Sequence, residues 1–600
     1  MRLILQRARE NKLLTYSLFE ERAGTSMGDS TFLIFEGREW TYTEFFKALQ
    51  PVGNWLIKGL GVQKGEVVVV DGGNSPEYII LWFSLEAIGA IPAFVNCNLT
   101  AKPLIHSIKL SGARRVLADT DIQSLISPIE EELSSFNARV VYYCPAFFQT
   151  LTDTELLPSS RREGIDPTDA SCLIYTSGTT GLPKAVVLTR AREIYSTQAL
   201  ALKPGDRIYT CLPLYHAAAH VLCVTLCIAK GATVVLSRKF SHKTFWSEVH
   251  ASKATHIQYV GELCRYLVNA PPGPLDRSHK VRMAWGNGMR PDVWERFQER
   301  FGIECVNELY SATDGMMFCA NPNRGDYTRS AIDLRGSLWH LLNGRSEKRV
   351  RIDPDTQDIV RGANGFAIEC KAGEAGETVI RMNPQDPDRG TPTYFKNHAA
   401  MMKRRAKDVF KKGDLWFRSG DMMRQDAEGR LYFVDRLGDT FRWHSENVST
   451  NEVSDVVGLF PQLAEVNVYG VLVPHADGRA GCAAVVLAEG IMAELEREGE
   501  GTGKQALDWK SLTNHCLTSL PRYALPIFMR VVGQLEYTGT MKMQKSRLRS
   551  EGIDLDIIEQ VAKDKGEEAD AIYWLPPGGN TYVSFTKKNL QELRAGRVRL

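Results

Sequence analysis

Ten residues, Tyr175-Thr-Ser-Gly-Thr-Thr-Gly-Leu-Pro-Lys184, constrain this 600-residue chain more than any others. Leu173-Ile174-Tyr175 before them and Val186-Val187-Leu188 after them read as short buried strands. The polar stretch is then a tight connection held at both ends by a sheet. Two glycines three apart let the backbone take positive φ and come close to a ligand. Successive N–H groups in such a loop form a concave nest for an anion. Ser177, Thr179 and Thr180 add hydroxyl donors, and Lys184 adds a mobile positive charge. That set suits a polyphosphate. Gly-Thr-Thr-Gly by itself reads equally well as a solvated loop. The spacing is not the Gly-x4-Gly-Lys-Ser/Thr of a Walker loop opening a helix, so an ordinary P-loop NTPase is excluded.

Six hundred residues exceed one hydrophobic core and imply two or more domains. A net charge of +2 gives no basic field for nucleic acid or an anionic membrane, and none is expected as a partner. The twelve cysteines show no Cys-x-x-Cys, which argues against structural zinc and fits a reducing, intracellular setting. Cys223 and Cys227 lie one helical turn apart and should simply pack. The apolar stretch Tyr78 to Val95 carries Glu86 and Pro92, so it reads as a buried helix followed by a strand, not a membrane span. The first residues are too short an apolar run for a signal peptide. The end, Val598-Arg599-Leu600, approaches the peroxisomal Ser-Lys-Leu type but lacks its small first residue.

Thr41-Tyr-Thr-Glu44 reads as a capping segment before a helix carrying Phe45, Phe46, Leu49, Val52, Trp55 and Leu56. Val67–Val70, Thr233–Leu236, Val281–Trp285 and Ile303–Val306 read as short buried strands with helices between. This alternation predicts α/β layers with largely parallel sheets. From about residue 437 the character changes. Hairpin segments Glu465–Pro474 and Gly481–Leu487 precede a Gly/Glu-rich insert, Glu494–Gly503, and predict a small mixed α+β domain.

The loop resembles the phosphate loop of the adenylate-forming, AMP-binding enzymes, and other segments follow in that superfamily's order. They are Asn307-Glu-Leu-Tyr-Ser-Ala-Thr-Asp-Gly315, Trp416-Phe-Arg-Ser-Gly-Asp421 with Tyr432-Phe-Val-Asp-Arg-Leu-Gly-Asp439, and Thr538-Gly-Thr-Met-Lys542-Met-Gln-Lys545. Read alone, the first is a turn after a strand, the second a surface hairpin and Lys542 a solvated lysine. Pro213-Leu-Tyr-His-Ala-Ala-Ala219, Gln258-Tyr-Val-Gly-Glu-Leu-Cys-Arg265, Gly286-Asn-Gly-Met-Arg-Pro-Asp292, Asp435-Arg-Leu-Gly-Asp-Thr-Phe-Arg-Trp443 and Tyr582-Val-Ser-Phe-Thr586 are similar to the fatty acid transport protein and very-long-chain acyl-CoA synthetase branch. The resemblance runs from about residue 20 to the end.

It implies a large N-terminal domain, 1–437, for acyl group and ATP, and a small mobile domain, 438–600, turning about Gly438. By the same resemblance Thr176, Ser177, Gly178, Thr179, Thr180, Gly181 and Lys184 take the phosphates. Gly286, Asn287, Gly288, Asn307, Glu308 and Tyr310 surround the nucleotide, with Tyr310 against adenine. Thr313 meets phosphate and Asp314 meets Mg²⁺. Asp421 accepts the ribose hydroxyls and Arg436 supports the ribose. Lys542 is the catalytic lysine of adenylation. His216, Tyr259 and Gly261 line the acyl entrance.

The implied reaction is activation of a long-chain or bulky hydrophobic acid to acyl-AMP, then transfer to coenzyme A. Two other outcomes stay open: transfer to a carrier-protein phosphopantetheine in a specialised pathway, and a fatty-acid transport or binding factor whose ligase site has decayed. Ser311 stands where the branch has glycine, Asp314 where it has glutamate, and His444-Ser445 where it has Lys-Gly. The last change would narrow the thiol tunnel. The branch name implies membrane association, for which the sequence supports only a peripheral attachment; a cytoplasmic or peroxisomal place is expected.

Overall fold

This computed structural model describes residues 2–176, 182–353, 356–388, 390–443, 446–476, 478–488, 491, 507–537, 543–598 and 600. They divide into two compact units. One holds Met1–Gly288, Phe297–Asp326 and Asn383–Arg405; the other holds Met289–Arg296, Tyr327–Met382 and Ala406–Leu600.

The first unit is built on two largely parallel sheets, as the alternation predicts. The eight-stranded sheet runs Phe318–Asn323, Cys305–Ser311, Met283–Asn287, His256–Val260, Arg207–Thr210, Thr233–Leu236, Thr31–Phe35, Arg38–Thr41. Its inner six strands are parallel and the two edges antiparallel. The seven-stranded sheet runs Thr393–Tyr394, Lys184–Thr189, Ala170–Thr176, Ile91–Val95, Val67–Asp71, Arg115–Asp119, Arg139–Tyr143. The last five of these are parallel. Val67–Asp71 has its two sequence successors on opposite sides, so the strand order reverses there. Open α/β sheets bind ligands beyond the carboxyl ends of their strands, near such a reversal.

Local chemistry explains the elements. Thr41 Oγ1 accepts from Glu44 N at 3.1 Å, and the Glu44 carboxylate accepts from Thr41 N at 2.8 Å. This capping box starts the helix Tyr42–Asn54. Helix Pro76–Ala87, with proline in its first turn and Ser75 as cap, is buried at every position except Glu77. That accounts for its unbroken apolar run. Of its two acids, Glu77 is half-buried in the first turn, while Glu86 is 1% exposed and is paired with Arg190; Glu86 also accepts from Thr15 N at 3.2 Å and Tyr16 N at 3.0 Å. Cys223 and Cys227 are buried, as expected.

Two boundaries differ from the sequence reading. The strand placed at Val281–Trp285 is Met283–Asn287. Val281 instead gives its N–H to the His279 ring at 3.2 Å, which holds the approach out of the sheet. The strand placed at Ile303–Val306 runs Cys305–Ser311, because Phe318–Asn323 pairs with Val306 through Ser311. Asn307–Ser311 is therefore strand, and only 312–315 is turn.

The second unit contains an antiparallel sheet ordered Asp333–Leu334, Arg430–Arg436, Leu415–Gln425, Ala375–Arg381, Glu347–Val350. It also contains a mixed five-stranded sheet ordered Leu463–Leu472, Arg479–Leu487, Phe528–Val531, Ala571–Trp574, Val583–Ser584. Among the described residues, the core on this second sheet draws its buried side chains from Phe441 to Leu593. The expected hairpin is there, and helices such as Thr450–Gly458, Trp509–Ser519 and Leu555–Lys565 make this an α+β layer. The insert Glu494–Gly503 lies outside the described residues.

Candidate active site

The stretch expected to bind phosphate runs between two antiparallel strands, Ala170–Thr176 and Lys184–Thr189, in register from Thr176↔Lys184. Thr176 and Lys184 are half-buried at the facing ends of these two strands. Ser177, Gly178, Thr179, Thr180 and Gly181 lie outside the described residues, as do His444, Ser445 and Lys542.

Beyond Thr189 the chain turns into helix Arg190–Ser196, with Thr189 as its cap. Two arginines of that helix do work that the motifs did not announce. Arg190 is the buried partner of Glu86 and fixes the hairpin's exit to helix Pro76–Ala87. Arg192 donates to the carbonyls of Thr313 at 2.8 Å, Ala312 at 3.0 Å and Gly315 at 2.9 Å. Burial lowers the Arg192 pKa, while Asp314 works to raise it. Thus the turn bearing Thr313 and Asp314 hangs on the element that follows the phosphate loop.

Asp314 is itself held. Arg404 Nη1 lies 2.8 Å from its Oδ2 and donates to its carbonyl at 3.1 Å, and the Tyr394 hydroxyl donates to the same Oδ2. Burial opposes its charge, but the Arg404 guanidinium and the Tyr394 hydroxyl outweigh it, so the carboxyl sits below its usual range. Burial and then Asp314 push Tyr394 up to about 12. The Tyr394 ring lies 5.4 Å from Lys184 Nζ.

The nucleotide candidates of the other sheet gather at the carboxyl ends of three adjacent parallel strands. Tyr259 pairs with Gly286, Val260 with Asn287, Trp285 with Asn307, and Gly286 with Glu308. Glu308 accepts from the Tyr259 hydroxyl through one oxygen and from Gly288 N through the other. Tyr259 and Glu308 are buried, and burial first, then Glu308, raises the tyrosine pKa. Gly286 admits no side chain: a Cβ would sit 2.1 Å from the Tyr259 carbonyl oxygen. Gly288 has φ +78, which glycine alone takes readily. Tyr310 is half-buried at the end of its strand.

His216, half-buried, precedes the short helix Ala217–Ala219, and Gly261 opens helix Gly261–Asn269. Two buried amides that sequence reasoning missed hold the His216 segment. Asn74 donates to Leu212 O at 3.0 Å and accepts from Leu214 N at 2.9 Å. Gln258 donates to Ala218 O at 2.7 Å. Amides of this kind carry no signal until the fold brings their partners near.

In the second unit Asp421 and Arg436 face each other across the antiparallel pair Leu415–Gln425 and Arg430–Arg436. Leu415–Gln425 is an inner strand, so this is no isolated surface hairpin. Gly438 follows, exposed, with no atom within 4 Å of where a Cβ would stand. Asp435 and Asp439 bracket it. Asp435, 1% exposed, accepts from Thr450 N at 2.7 Å, Thr450 Oγ1 at 2.9 Å and Asn451 Nδ2 at 3.2 Å. Asp439 lies 2.9 Å from Arg549 and 3.8 Å from Lys545. Burial lowers the Lys545 pKa despite Asp439.

A family profile described as AMP-binding enzyme matches residues 19–380. A very long-chain fatty acid transport protein from Cochliobolus heterostrophus is 51% identical over 601 residues, covering 100% of this chain and 90% of that protein. The chain belongs to the AMP-binding enzyme family. Isopenicillin N epimerase component 1 from Hapsidospora chrysogena is 37% identical and covers 98% of this chain and 92% of itself. Among solved structures, the anthranilate CoA ligase AuaEII with anthranoyl-AMP has a TM-score of 0.73 at 20% identity, covering 90% of this chain and 97% of that one. ATP-bound MatB from Rhodopseudomonas palustris has a TM-score of 0.71 at 18% identity, covering 90% and 98%. The fold is therefore that of the adenylate-forming ligases, with a large N-terminal and a smaller C-terminal domain. No described helix of this family member is long and apolar enough to cross a membrane.

Proposed function

We propose that this chain activates a long-chain or bulky hydrophobic carboxylic acid with ATP and passes the acyl group to the thiol of coenzyme A. The observation that supports it most is the shared frame of Lys184, Tyr394, Asp314 and Arg192, which joins the phosphate-loop hairpin to the acidic turn. The family membership supports the adenylating half of the reaction.

In this reading Thr176, Lys184 and the loop between them bind the phosphates, and Tyr310 stacks on adenine. Asp421 accepts the ribose diol, since one carboxylate takes two hydrogen bonds, and Arg436 supports it. Lys542 neutralises charge passing to the pyrophosphate. Positioning supplies most of the rate, because the carboxylate attacks without needing a base. Asp314 offers Mg²⁺ one carboxylate whose Oδ2 already carries Arg404 and Tyr394. That fits an ion that takes one or two carboxylates and fills its shell with water and phosphate oxygens. When bound, Mg²⁺ would supply charge neutralisation on the phosphates.

The smaller domain is proposed to begin at Gly438, between the two sheets of the second unit, and to turn after adenylation. The core drawn from Phe441 to Leu593 favours that boundary. Any membrane relation is proposed to be peripheral; the exposed Leu338, Leu341 and Leu342 of helix Ser337–Asn343 favour it. A cytoplasmic or peroxisomal place goes with it.

The second relative carries isopenicillin N in its name, which favours including bulky non-fatty acids among the candidate substrates. Carrier-protein phosphopantetheine remains the competing acceptor. Thioester yield with free coenzyme A against a loaded carrier domain separates the two. Acid-dependent AMP formation by the purified chain tests ligase against binding factor: its absence for every acid would leave only the latter.

A further inference from the structure

Residues 383–405 belong to the first unit, although residues of the second flank them in sequence. They make three contacts in one place. Thr393–Tyr394 adds an edge strand to the phosphate-loop hairpin, with Tyr394 beside Val186 and Phe395 N donating to Ala185 O at 2.8 Å. The Tyr394 ring stands 5.4 Å from Lys184 Nζ, within cation–π range. The Tyr394 hydroxyl and the Arg404 guanidinium both hold Asp314 Oδ2, the latter at 2.8 Å. Arg404 also binds the Asp314 carbonyl at 3.1 Å, so it grips backbone and side chain together.

Asp314 is one methylene shorter than the glutamate that the sequence resemblance implies at this position. Its carboxylate reaches less far and has fewer torsions with which to find a ligand. Two partners on one oxygen fix the orientation of the Asp314 carboxylate. We propose that Tyr394 and Arg404 are positioning residues for Mg·ATP, setting the Asp314 carboxylate against Lys184. One edge strand thereby couples the cation on the phosphate loop to the acid on the turn. Partners of ligating carboxylates change metal affinity by about 10- to 100-fold when removed. The inference rests on the adenylating role of Asp314 proposed above.

Tyr394→Phe removes only a hydroxyl, Arg404→Lys keeps the charge without the fork, and Arg404→Ala removes both. Each is made alone and over Asp314→Asn. Two quantities are read: the Mg²⁺ concentration giving half-maximal pyrophosphate–ATP exchange, and the Mg·ATP-induced rise in melting temperature, which needs no turnover. Arg404→Ala should raise the Mg²⁺ requirement about tenfold. Tyr394→Phe should raise it less, and Arg404→Lys should recover part of the loss. Over Asp314→Asn none should change the melting shift further. Unchanged Mg²⁺ dependence, or effects that add fully over Asp314→Asn, overturns the inference and leaves the ligase reading standing. If Arg404→Ala does not fold, Tyr394→Phe decides alone. A wild-type chain with neither exchange nor Mg·ATP shift removes the ligase reading, and this inference with it.

Discussion

Asp71 is the residue most at odds with its surroundings. It ends the strand Val67–Asp71, is 1% exposed, and neither carboxylate oxygen has a hydrogen-bond partner. The hydroxyls of Tyr78 and Tyr143, also buried, are likewise unpartnered. Burial, reinforced by the Asp119 charge, pushes Asp71 up to about 8. A raised folded pKa means the folded chain binds a proton that the unfolded chain has released. Stability from that proton is complete below the ordinary carboxylate range and is lost as pH climbs towards 8. Asp71→Asn should therefore raise the unfolding midpoint at pH 8, by an amount equivalent to a few kcal/mol, with no gain near pH 4. Thermal melts across that range check it, and a pH-independent difference would mean Asp71 is ionised throughout. Nothing in the sequence flagged this acid, since an aspartate after a strand is ordinary turn chemistry until both oxygens prove buried. The partners of Asp314 were hidden for a different reason. Tyr394 and Arg404 lie 80 and 90 residues away. No local pattern reports a contact of that range.

Elements were more legible. The capping box at Thr41 and the all-apolar face of Pro76–Ala87 are short-range signals, and both read correctly. Strand ends were less so, because Cys305–Ser311 owes its length to a partner strand and not to its own residues. The antiparallel sheet through Leu415–Gln425 was visible only as a hairpin, since its outer strands are short and polar. Helix Thr450–Gly458 is capped by Ser449, and its first residues also donate to Asp435, which takes several donors at once while buried. Asp435→Ala strands those donors and should destabilise this layer by about 3 kcal/mol. Hydrogen exchange of helix Thr450–Gly458, faster in the variant than in the parent, is the expected readout; unchanged protection would show that the cap is replaced by water. Gly438 invites a sharper test. Its surroundings leave space for a side chain, so Gly438→Ala should fold and work nearly as the parent does. Gly438→Pro fixes φ. It should spare acyl-AMP formation and block thioester formation, as expected if a hinge is frozen. Equal loss of both half-reactions would contradict a turn at that residue.

At the scale of the whole molecule, the order of motifs carried the family and the fold. The acid itself was not legible, because the acyl surface depends on side chains that no motif pins. Burial of Tyr259 on Glu308 illustrates this: the residue expected at the acyl entrance has its hydroxyl turned to a carboxylate at the strand ends. The account as a whole stands on acid activation by ATP, with Lys542 bringing its charge to the reacting carboxylate. Radiolabelled pyrophosphate–ATP exchange across a panel of medium-chain, long-chain and bulky acids, run with the parent chain and Lys542→Ala, tests that most directly. The account predicts acid-dependent exchange in the parent and a loss of about a hundredfold or more in the variant, at an unchanged melting temperature. No exchange with any acid, or equal exchange in both proteins, would contradict it.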